Sequence, residues 1–570
     1  MTESNNFRKE YWRFFEILMF PIAIVLGFFV VYQQFHPKYI DLFESYSRIL
    51  LFYFAFLNIL KIVYNQGNIK YIKKIFIDLC AIVISFIFFQ NLIVFQVYIV
   101  LRQIIILIDM LASTKPAVTL FSRFRNHPSK IILISFAFII LVGTTFLTLP
   151  LASAHGESIG IIDAAFTSTS AVCVTGLIVL DTGKDFSIFG QIVILILMQV
   201  GGLGIMTFST ALIMLFGKQL SLHGQSLIQG VLGEVTKDSV FKILKAIIIT
   251  TLIFEFIGGM VLYLKFHSHP FFAEMSNLQI FGHSIFHSVS AFCNAGFCLY
   301  SNSFMRFQGS WIVNLVITFL IIIGGIGFTV MLDVYENIVK RKSIRLLTLH
   351  SKIVIVTTII LIILGSVLVF AFEYKAEFQE LPLKNGILAS TFQSVTTRTA
   401  GFNTMDISKI SFATVLLMIV LMFIGASPGS TGGGIKTTSF AILALSVWSI
   451  IRRRQDVEVF HRSISPDVQK KVMSLVMISV SILVILILVL FLSETKQGFK
   501  FEQIIFEAFS AFGTVGLSMG ITPLLTTLGK LAIIALMYLG RVGPLTIAFA
   551  LSEKKIRAHY HYTEENIAIG

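Results

Sequence analysis

Charged residues are scarce in this chain of 570 residues. Lys, Arg, Asp and Glu together make up 13% of it, whereas a soluble domain usually carries about a quarter. Apolar runs of roughly 17 to 25 residues, the length that crosses a hydrocarbon core about 30 Å thick, recur from one end of the sequence to the other. The chain is therefore predicted to be a multi-pass integral membrane protein, not a soluble enzyme with a single anchor.

Cysteine is also rare. The four cysteines are Cys80, Cys173, Cys293 and Cys298, and they form neither a CxxC pair nor a zinc-binding pattern with histidine. Neither a disulfide framework nor a metal site follows from them. His283 and His287 have the spacing of metal ligands in a membrane enzyme, but no Glu follows His283 and no third ligand is near. A structural role is favoured for both, and the chain is predicted not to be an enzyme.

No basic stretch is long enough to form a separate domain, although the formal net charge is +14. Lys and Arg stand in short segments between apolar runs, as at residues 452–454, so nucleic acid is not expected as a partner and membrane lipid is. By the positive-inside rule, these connectors and both termini are predicted to be cytoplasmic, in the plasma (inner) membrane. The first apolar run lacks a small-residue cleavage signature and is predicted to be a retained helix.

Twelve membrane-spanning helices are predicted from the apolar runs. Four stand first, at about 14–33, 46–64, 75–91 and 93–111. The other eight form pairs, 130–150 with 188–216, 246–265 with 311–334, 352–372 with 412–450, and 472–492 with 528–551. The predicted fold is all-α, with an N-terminal transmembrane bundle followed by four repeats. The boundaries are 1–125 for the bundle, then 126–235, 236–345, 346–460 and 461–570, the last including the C-terminal tail.

The four helix pairs enclose similar short segments, in which a Phe is followed by small hydroxylated residues and then by Gly with Leu or Phe. The glycines are Gly176, Gly296, Gly401 and Gly516. The third copy is one residue shorter between Phe and Gly than the others. Segments of this length cannot span a bilayer, so each is predicted to enter it as a re-entrant half-helix with an extended return. Such backbone is stable at membrane depth when it lines a shared, water-filled pore.

The extended returns are predicted to form a cation selectivity filter. Glycine permits backbone torsions that let successive carbonyl oxygens replace the hydration shell of an ion. No filter residue carries a formal charge, which favours a monovalent cation. The predicted ligands are the carbonyls of Val174, Thr175, Gly176, Asn294, Ala295, Gly296, Thr399, Ala400, Gly401, Thr514, Val515 and Gly516. Arg398, just before the third filter, is predicted to anchor that segment.

Glycine and proline also interrupt the second helix of each pair, at residues 201–204, 324–327, 425–434 and 540–544. For the first two, close helix packing stays an equal alternative. The third cannot continue a helix and is predicted to be a flexible gate beneath the filter, formed by Gly425, Ala426, Ser427, Pro428, Gly429, Gly432, Gly433 and Gly434. Its context is not that of a nucleotide-binding P-loop, since an apolar helix precedes it. Arg541 is predicted to point into the bundle, where its charge limits cation occupancy and it pairs with the third-copy loop; a structural contact to helix-end carbonyls stays the alternative.

With these residues in place, the sequence resembles the Trk/Ktr/HKT superfamily of potassium transporters, in its membrane-spanning, pore-forming subunits of the TrkH/KtrB type. The resemblance covers about residues 130–552 and rests on the four filter segments, the glycine-rich third-copy loop and Arg541. It implies four M1-pore-M2 units around a central pore, a homodimer and a gate at the third-copy loop. Gly176, where sodium-selective members carry serine, favours potassium.

The resemblance also implies a separate cytoplasmic, nucleotide-binding regulatory subunit of the TrkA/KtrA type. This partner is expected to dock on the basic connectors and to respond to ATP, ADP or NAD. No cofactor is expected in this chain, and potassium, or sodium, is the transported ion. Residues 1–115 exceed the usual family core, and a packing or assembly role is favoured for them over voltage sensing.

Two alternative functions remain open. The first is a sodium-coupled or sodium-permeable cation symporter, which the same filter would serve. The second is a secondary transporter of an organic solute, which is less favoured because such proteins often contain inverted repeats, whereas these repeats are direct.

Overall fold

The computed structural model describes residues 128–216, 237–340, 343–379, 381–454, 456–544 and 546. The predicted N-terminal bundle and the first four predicted spans lie outside the described residues. What is described falls in two compact units. The smaller contributes Thr148–Ile159, with a 3₁₀ turn at Pro150–Ala152, and the larger, Arg125–Leu147 with Gly160–Gly570, holds the helices and strands below.

Each sequence repeat contains a long helix, a shorter helix and a further helical segment. The first repeat has α1 (Pro128–Leu147), α2 (Ile161–Val172) and α3 (Ile188–Phe216), and the second has α4 (Lys237–His267), α5 (Asn277–Phe292), α6 (Trp311–Ile326) and α7 (Phe328–Val334). The third has α8 (Leu349–Glu373), α9 (Leu383–Thr396), α10 (Phe412–Phe423) and α11 (Thr437–Ile451), and the fourth has α12 (Pro466–Glu494), α13 (Phe501–Gly513) and α14 (Thr527–Val542). The chain is thus mostly helical in its described part.

Three of the described helices are by themselves long and apolar enough to cross a membrane. They are Lys245–His267 within α4, Leu349–Glu373 and Pro466–Glu494. A fourth span results if Trp311–Ile326 and Phe328–Lys340 are counted together, although the chain bends by 97° between them. The three single helices are the first long helices of the second, third and fourth repeats, which the sequence had placed at 246–265, 352–372 and 472–492.

A short β-hairpin departs from the predicted all-α class. Strands β1 (Val457–Val459) and β2 (Arg462–Ile464) pair antiparallel, with Val459 opposite Arg462. The turn residues Phe460 and His461 both have positive φ, at 49° and 60°, as a two-residue type I′ turn requires. Three-residue strands are too short for a period-2 pattern to stand out in the sequence, so the hairpin was not predicted.

The hydroxylated residues of the short helices fasten them to the first long helix of the same repeat. Ser168 donates to the carbonyl of Ile140 at 2.8 Å, Ser288 to that of Glu255 at 2.6 Å, and Ser394 to that of Ile362 at 2.8 Å. A glycine in each long helix makes room for the serine, and these are Gly143, Gly258 and Gly365. Burial of the short helices in the bundle is therefore compatible with their hydroxyl groups.

Candidate functional site

The glycines of the four predicted filter segments form a closed ring. A methyl group placed on Gly176 would lie 2.6 Å from the carbonyl oxygen of Ala295, one on Gly296 would lie 2.7 Å from that of Ala400, and one on Gly401 would lie 2.6 Å from that of Val515. Gly516 completes the ring, since its methyl group would overlap the carbonyl of Thr175. Each glycine therefore faces the carbonyl that precedes the next one, and no other residue type fits this approach.

The backbone of all four filter segments follows one pattern. The residue two positions before each glycine has positive φ, at 56° for Val174, 58° for Asn294, 75° for Thr399 and 51° for Thr514. The glycines also have positive φ, from 71° to 89°, whereas the intervening residues do not. Alternation of this kind lets successive carbonyls point to one side, unlike the alternating directions in a β-strand. The eight non-glycine residues are fully buried.

The shorter third copy keeps the same filter geometry because the missing residue lies at the end of its helix. The N–H before the glycine bonds five residues back in three copies, as in Thr175 to Ser170 at 2.8 Å, but four residues back in the third, from Ala400 to Thr396 at 2.9 Å. The hydroxyls of Ser170 and Ser510 accept from the N–H of the filter glycine, at 3.1 Å each. Those of Ser290 and Thr396 instead donate to the carbonyl of the Phe after the glycine.

Of the two alternatives for the first repeat, close packing agrees with the structure and interruption does not, since α3 runs unbroken through Gly201–Gly204. The glycines there serve close packing. A methyl group on Gly201 would overlap the carbonyl of Val172, and one on Gly202 would lie 2.8 Å from the sulfur of Cys293. In the second repeat the helix does break, at Gly327 with φ 99°. In the fourth it ends at Val542.

The third repeat has a non-helical stretch between α10 and α11, residues 424–436, which we call the intramembrane loop. It contains all the predicted gate residues of this repeat, and the sequence prediction that it cannot continue a helix agrees with the structure. The loop lies against the filter. Gly433 N–H donates to Thr514 Oγ1 at 3.0 Å, and a methyl group on Gly432 would overlap Thr399 Oγ1.

The loop is held from within and by the second repeat. Internally, Gly425 N–H donates to Ile435 O at 2.8 Å, Ala426 N–H donates to Gly433 O at 3.3 Å, and Gly434 has positive φ. The break between α6 and α7 supplies further partners. Ser427 N–H donates to Gly325 O at 3.1 Å. Phe328 N–H donates at 3.0 Å to the carbonyl of Gly429, the residue after Pro428.

Two cationic side chains bind successive carbonyls of the intramembrane loop. Arg541 donates from one terminal nitrogen to Thr431 O and from the other to Gly201 O. Lys436 Nζ donates to Gly432 O at 2.7 Å. Arg541 is buried and points into the bundle, as the cost of an ionised group in lipid demands. It therefore connects the loop of the third repeat to the second helix of the first.

Asn294 and Arg398 distinguish the second and third filters from the others. With its amide nitrogen turned towards them, Asn294 donates to Ala291 O at 3.0 Å and Ile321 O at 3.2 Å. Arg398 reaches Thr358 on α8, with both contacts at 3.4 Å. Arg398 thus fastens the C-terminal end of α9, the short helix of the third repeat, to α8, the first long helix of that repeat.

One carboxyl group in the connection after the third filter lies outside the membrane-spanning segments and has a shifted pKa. The Ser408 hydroxyl donates to Asp406 Oδ1 at 2.6 Å, and this hydrogen bond holds the pKa of the Asp406 carboxyl below its ordinary value. Asp406 therefore carries a negative charge five residues beyond Gly401.

Sequence reasoning missed several residues of the site. Lys436 and Thr431 were not singled out, and His287 was given only an unspecified structural role. Glu507 was overlooked, although it follows the Phe that the four segments share, as His287 does in the second copy. This shared position in the repeat was the signal that could have indicated a common role for the two residues. Among the described residues, no group of three or more His, Cys, Asp or Glu side chains is placed to hold a metal ion.

The sequence of the chain is similar to those of known cation transport proteins. The sequence model of the TrkH family, described as a cation transport protein, matches residues 100–557. The chain is 38% identical over 448 residues to the Ktr system potassium uptake protein B of Bacillus subtilis, covering 78% of this chain and 97% of that protein. It is 39% identical over 456 residues to the potassium/sodium uptake protein NtpJ of Enterococcus hirae, with 79% and 98% covered.

A solved structure shares the fold. The crystal structure of the potassium transporter TrkH from Vibrio parahaemolyticus matches with a TM-score of 0.61 at 18% identity, covering 94% of this chain and 98% of that one.

Proposed function

Since the chain belongs to the TrkH family of cation transport proteins, we propose that it takes potassium into the cell through a pore whose selectivity filter is the ring of four glycine-bearing segments. The transported ion is held by backbone carbonyls and not by side-chain charge. The relatives at 38% and 39% identity are named as potassium uptake and potassium/sodium uptake proteins, and they support the choice of a monovalent cation.

The ring is the observation that carries this proposal. Four segments that are far apart in the sequence meet with their glycines in contact and with the same alternation of φ. Packing alone does not require four copies of a strained backbone, because residues with positive φ each cost free energy unless a glycine occupies the position. A shared site for a desolvated cation explains both the strain and its repetition.

The intramembrane loop acts as the gate of this pore. It lies against Thr399 and Thr514 and is fixed by Arg541 and Lys436. In the state described, hydrogen bonds join the loop to the second and fourth repeats, so opening requires these bonds to break together. A cytoplasmic regulatory subunit that binds nucleotide supplies the free energy for that change. It docks on exposed basic connectors such as Arg345 and residues 452–454. The working protein is a homodimer.

The test is rescue of cells that lack potassium uptake, grown at low external potassium with the regulatory subunit expressed. The parent chain is expected to restore growth. Gly296→Ser is expected to abolish rescue or to shift uptake towards sodium, because a side chain there would lie 2.7 Å from Ala400 O at a φ of 71°. Gly282→Ser is the matched control, since nothing lies within 4 Å of a side chain at Gly282.

Two outcomes would contradict the proposal. One is absence of rescue by a parent chain that is present in the membrane together with its subunit. The other is equal growth of the Gly296→Ser and Gly282→Ser cells with unchanged preference for potassium over sodium. Measuring potassium uptake with and without external sodium separates a potassium pathway from a sodium-coupled symporter, since only the symporter needs sodium for potassium uptake.

A further inference from the structure

The return segment of the second filter is held by a side chain from its own short helix. His287 Nδ1 donates to His283 O at 2.7 Å, so in the neutral ring Nε2 is the unprotonated nitrogen. That Nε2 accepts from the N–H of Leu299 at 3.2 Å. The imidazole also stacks on Tyr300, with ring centroids 4.6 Å apart. The side chain therefore fixes both the third and the fourth residue after the filter glycine, Gly296.

The same contact occurs in the fourth repeat with a different side chain. Glu507 Oε1 accepts from the N–H of Met519 at 3.2 Å and from the hydroxyl of Ser518, and Oε2 accepts from Thr522 at 3.0 Å. Met519 is the third residue after its filter glycine, as Leu299 is in the second repeat. Glu507 and His287 also both follow the Phe that opens the segment. Two unrelated side chains thus make one homologous hydrogen bond.

The first and third repeats do not make this bond through the corresponding residue. Thr167 donates its hydroxyl to Asp163 O at 2.9 Å, within its own helix. Gln393 is fully buried, and its side-chain amide has no hydrogen-bond partner in the part of the chain that the structure describes. The buried hydroxyl of Thr404, the third residue after Gly401, has none there either.

The order of the glycine ring places these repeats on opposite sides of it. Gly176 and Gly401 both contact Gly296, and both also contact Gly516. The second and fourth repeats are therefore diagonal neighbours, and so are the first and third. In the second and fourth repeats, a side chain from the short helix hydrogen-bonds to the extended segment that follows the filter glycine. In the first and third repeats, the corresponding side chain does not.

We propose that His287 and Glu507 are positioning residues for ion selection, and that they set the potassium preference of the filter by fixing the returns of the second and fourth segments across one diagonal. Neither side chain touches the ion. Each accepts a hydrogen bond from the backbone N–H three residues after the filter glycine. This bond limits how far the filter carbonyls can move inward to contact a smaller cation. The proposal rests on the function proposed above.

The physical argument is that a carbonyl ring selects by resisting contraction. Sodium is smaller than potassium, so a ring that can shrink gains contacts with sodium and loses discrimination. A hydrogen bond to a buried backbone N–H opposes movement of that segment, because breaking it leaves the donor unpaired. Holding one diagonal is sufficient to keep the ring from contracting evenly.

The test compares substitutions that keep or remove the acceptor at the required reach. His287→Gln keeps an acceptor near the position of Nε2, whereas His287→Asn reaches only the position of Nδ1. Glu507→Gln keeps the oxygen but loses the charge, and Glu507→Asp keeps the charge but is one methylene shorter. Thr167→Val is the control at the corresponding position of the first repeat.

The readout is the ratio of potassium to sodium uptake, normalised to the amount of protein in the membrane and measured with the regulatory subunit present. Both Gln variants and Thr167→Val are expected to stay within about twofold of the parent ratio. His287→Asn and Glu507→Asp are expected to lower it by about tenfold, a change of about 1.4 kcal/mol in selectivity. On purified protein, the difference in melting temperature between KCl and NaCl should shrink for the same two variants.

A parent ratio near one would overturn the proposed function itself. A parent that prefers potassium, with the Asn and Asp variants keeping that preference in both measurements, would overturn only the positioning role. Equal losses in the Gln and the shorter variants would also overturn it, because the acceptor would then not be the feature that matters.

Discussion

Lys530 Nζ lies 2.6 Å from Asp163 Oδ1, an ion pair that joins α14 of the fourth repeat to α2 of the first. The two side chains are 16% and 30% exposed, so water screens the pair only partly. Asp163 also lies in the first turn of α2, where a negative charge is favourable. The ring of repeats closes between the first and the fourth, and this pair lies at that closure.

We expect the pair to stabilise the closed bundle by about 1 kcal/mol, near the upper end for partly exposed ion pairs. Asp163→Asn and Lys530→Met should each lower the melting temperature of the purified protein, and the double variant should lose less than their sum. The matched control is Asp406 with Lys409, whose nitrogen and oxygen are 3.4 Å apart and whose lysine is far more exposed than Lys530. Coupling as weak as in the control would contradict the expectation.

Two glycines of α3 provide a paired test of close packing. A methyl group on Gly201 would overlap Val172 O, whereas one on Gly204 would lie 3.5 Å from Phe136 Cζ, an ordinary contact. Gly201→Ala should therefore destabilise the protein by about 1 to 3 kcal/mol. Gly204→Ala should be neutral or stabilise it by up to about 1 kcal/mol, because alanine favours a helix. Thermal unfolding in detergent checks both, and equal effects would rule out the packing explanation.

The four glycine-bearing segments could be recognised in the sequence because their backbone requirement is local. A backbone that must take positive φ calls for glycine, and four aligned glycines made the pattern visible. The role of Gly201 could not be predicted in the same way, since glycine serves a helix break and a close helix contact equally well. Only the carbonyl of Val172, from another helix, decides between them.

Hydrogen-bond partners that are distant in the sequence could not be predicted for a similar reason. Arg541 could be placed inside the bundle, because an ionised group is costly in lipid. The sequence suggested the third-copy loop as its partner, but it identified neither Thr431 O within that loop nor Gly201 O on α3. The hydrogen bonds of His287 and Glu507 were equally hidden, since each depends on how the return segment folds back on its short helix.

Arg541 should control how firmly the intramembrane loop is held. Arg541→Lys leaves a single nitrogen, which cannot bond Gly201 O and Thr431 O in the way the guanidinium does. One buried carbonyl then loses its partner, at a cost of about 1 to 3 kcal/mol. We expect potassium uptake without the regulatory subunit to rise severalfold and the melting temperature to fall.

Arg398→Lys is the control for that substitution. Arg398 is also buried, but within the described residues its guanidinium hydrogen-bonds to one residue, Thr358, which one amine can reach. Potassium uptake by the Arg398→Lys variant should depend on the regulatory subunit about as strongly as uptake by the parent does. If Arg541→Lys needs the subunit as strictly as the parent does, Arg541 does not hold the gate.

The hydrogen bond from Gly433 N–H to Thr514 Oγ1, 3.0 Å long, joins the intramembrane loop directly to the fourth filter. Thr514→Val removes the acceptor while keeping the branched shape of the side chain, which matters because residue 514 has a φ of 51°. The buried N–H of Gly433 is then unpaired in the closed state, so that state should lose about 1.4 kcal/mol, equivalent to a tenfold shift towards opening. Uptake in the absence of the subunit should rise accordingly.

Thr514→Ser keeps the hydroxyl and should behave like the parent. The ratio of potassium to sodium uptake shows whether the valine variant has altered the gate or the filter, since a loosened loop leaves that ratio unchanged while a distorted filter lowers it. Equal subunit-independent uptake by the valine and serine variants would mean that this hydrogen bond does not hold the loop closed. The loop would then be held by its remaining bonds, to Arg541, Lys436 and the second repeat.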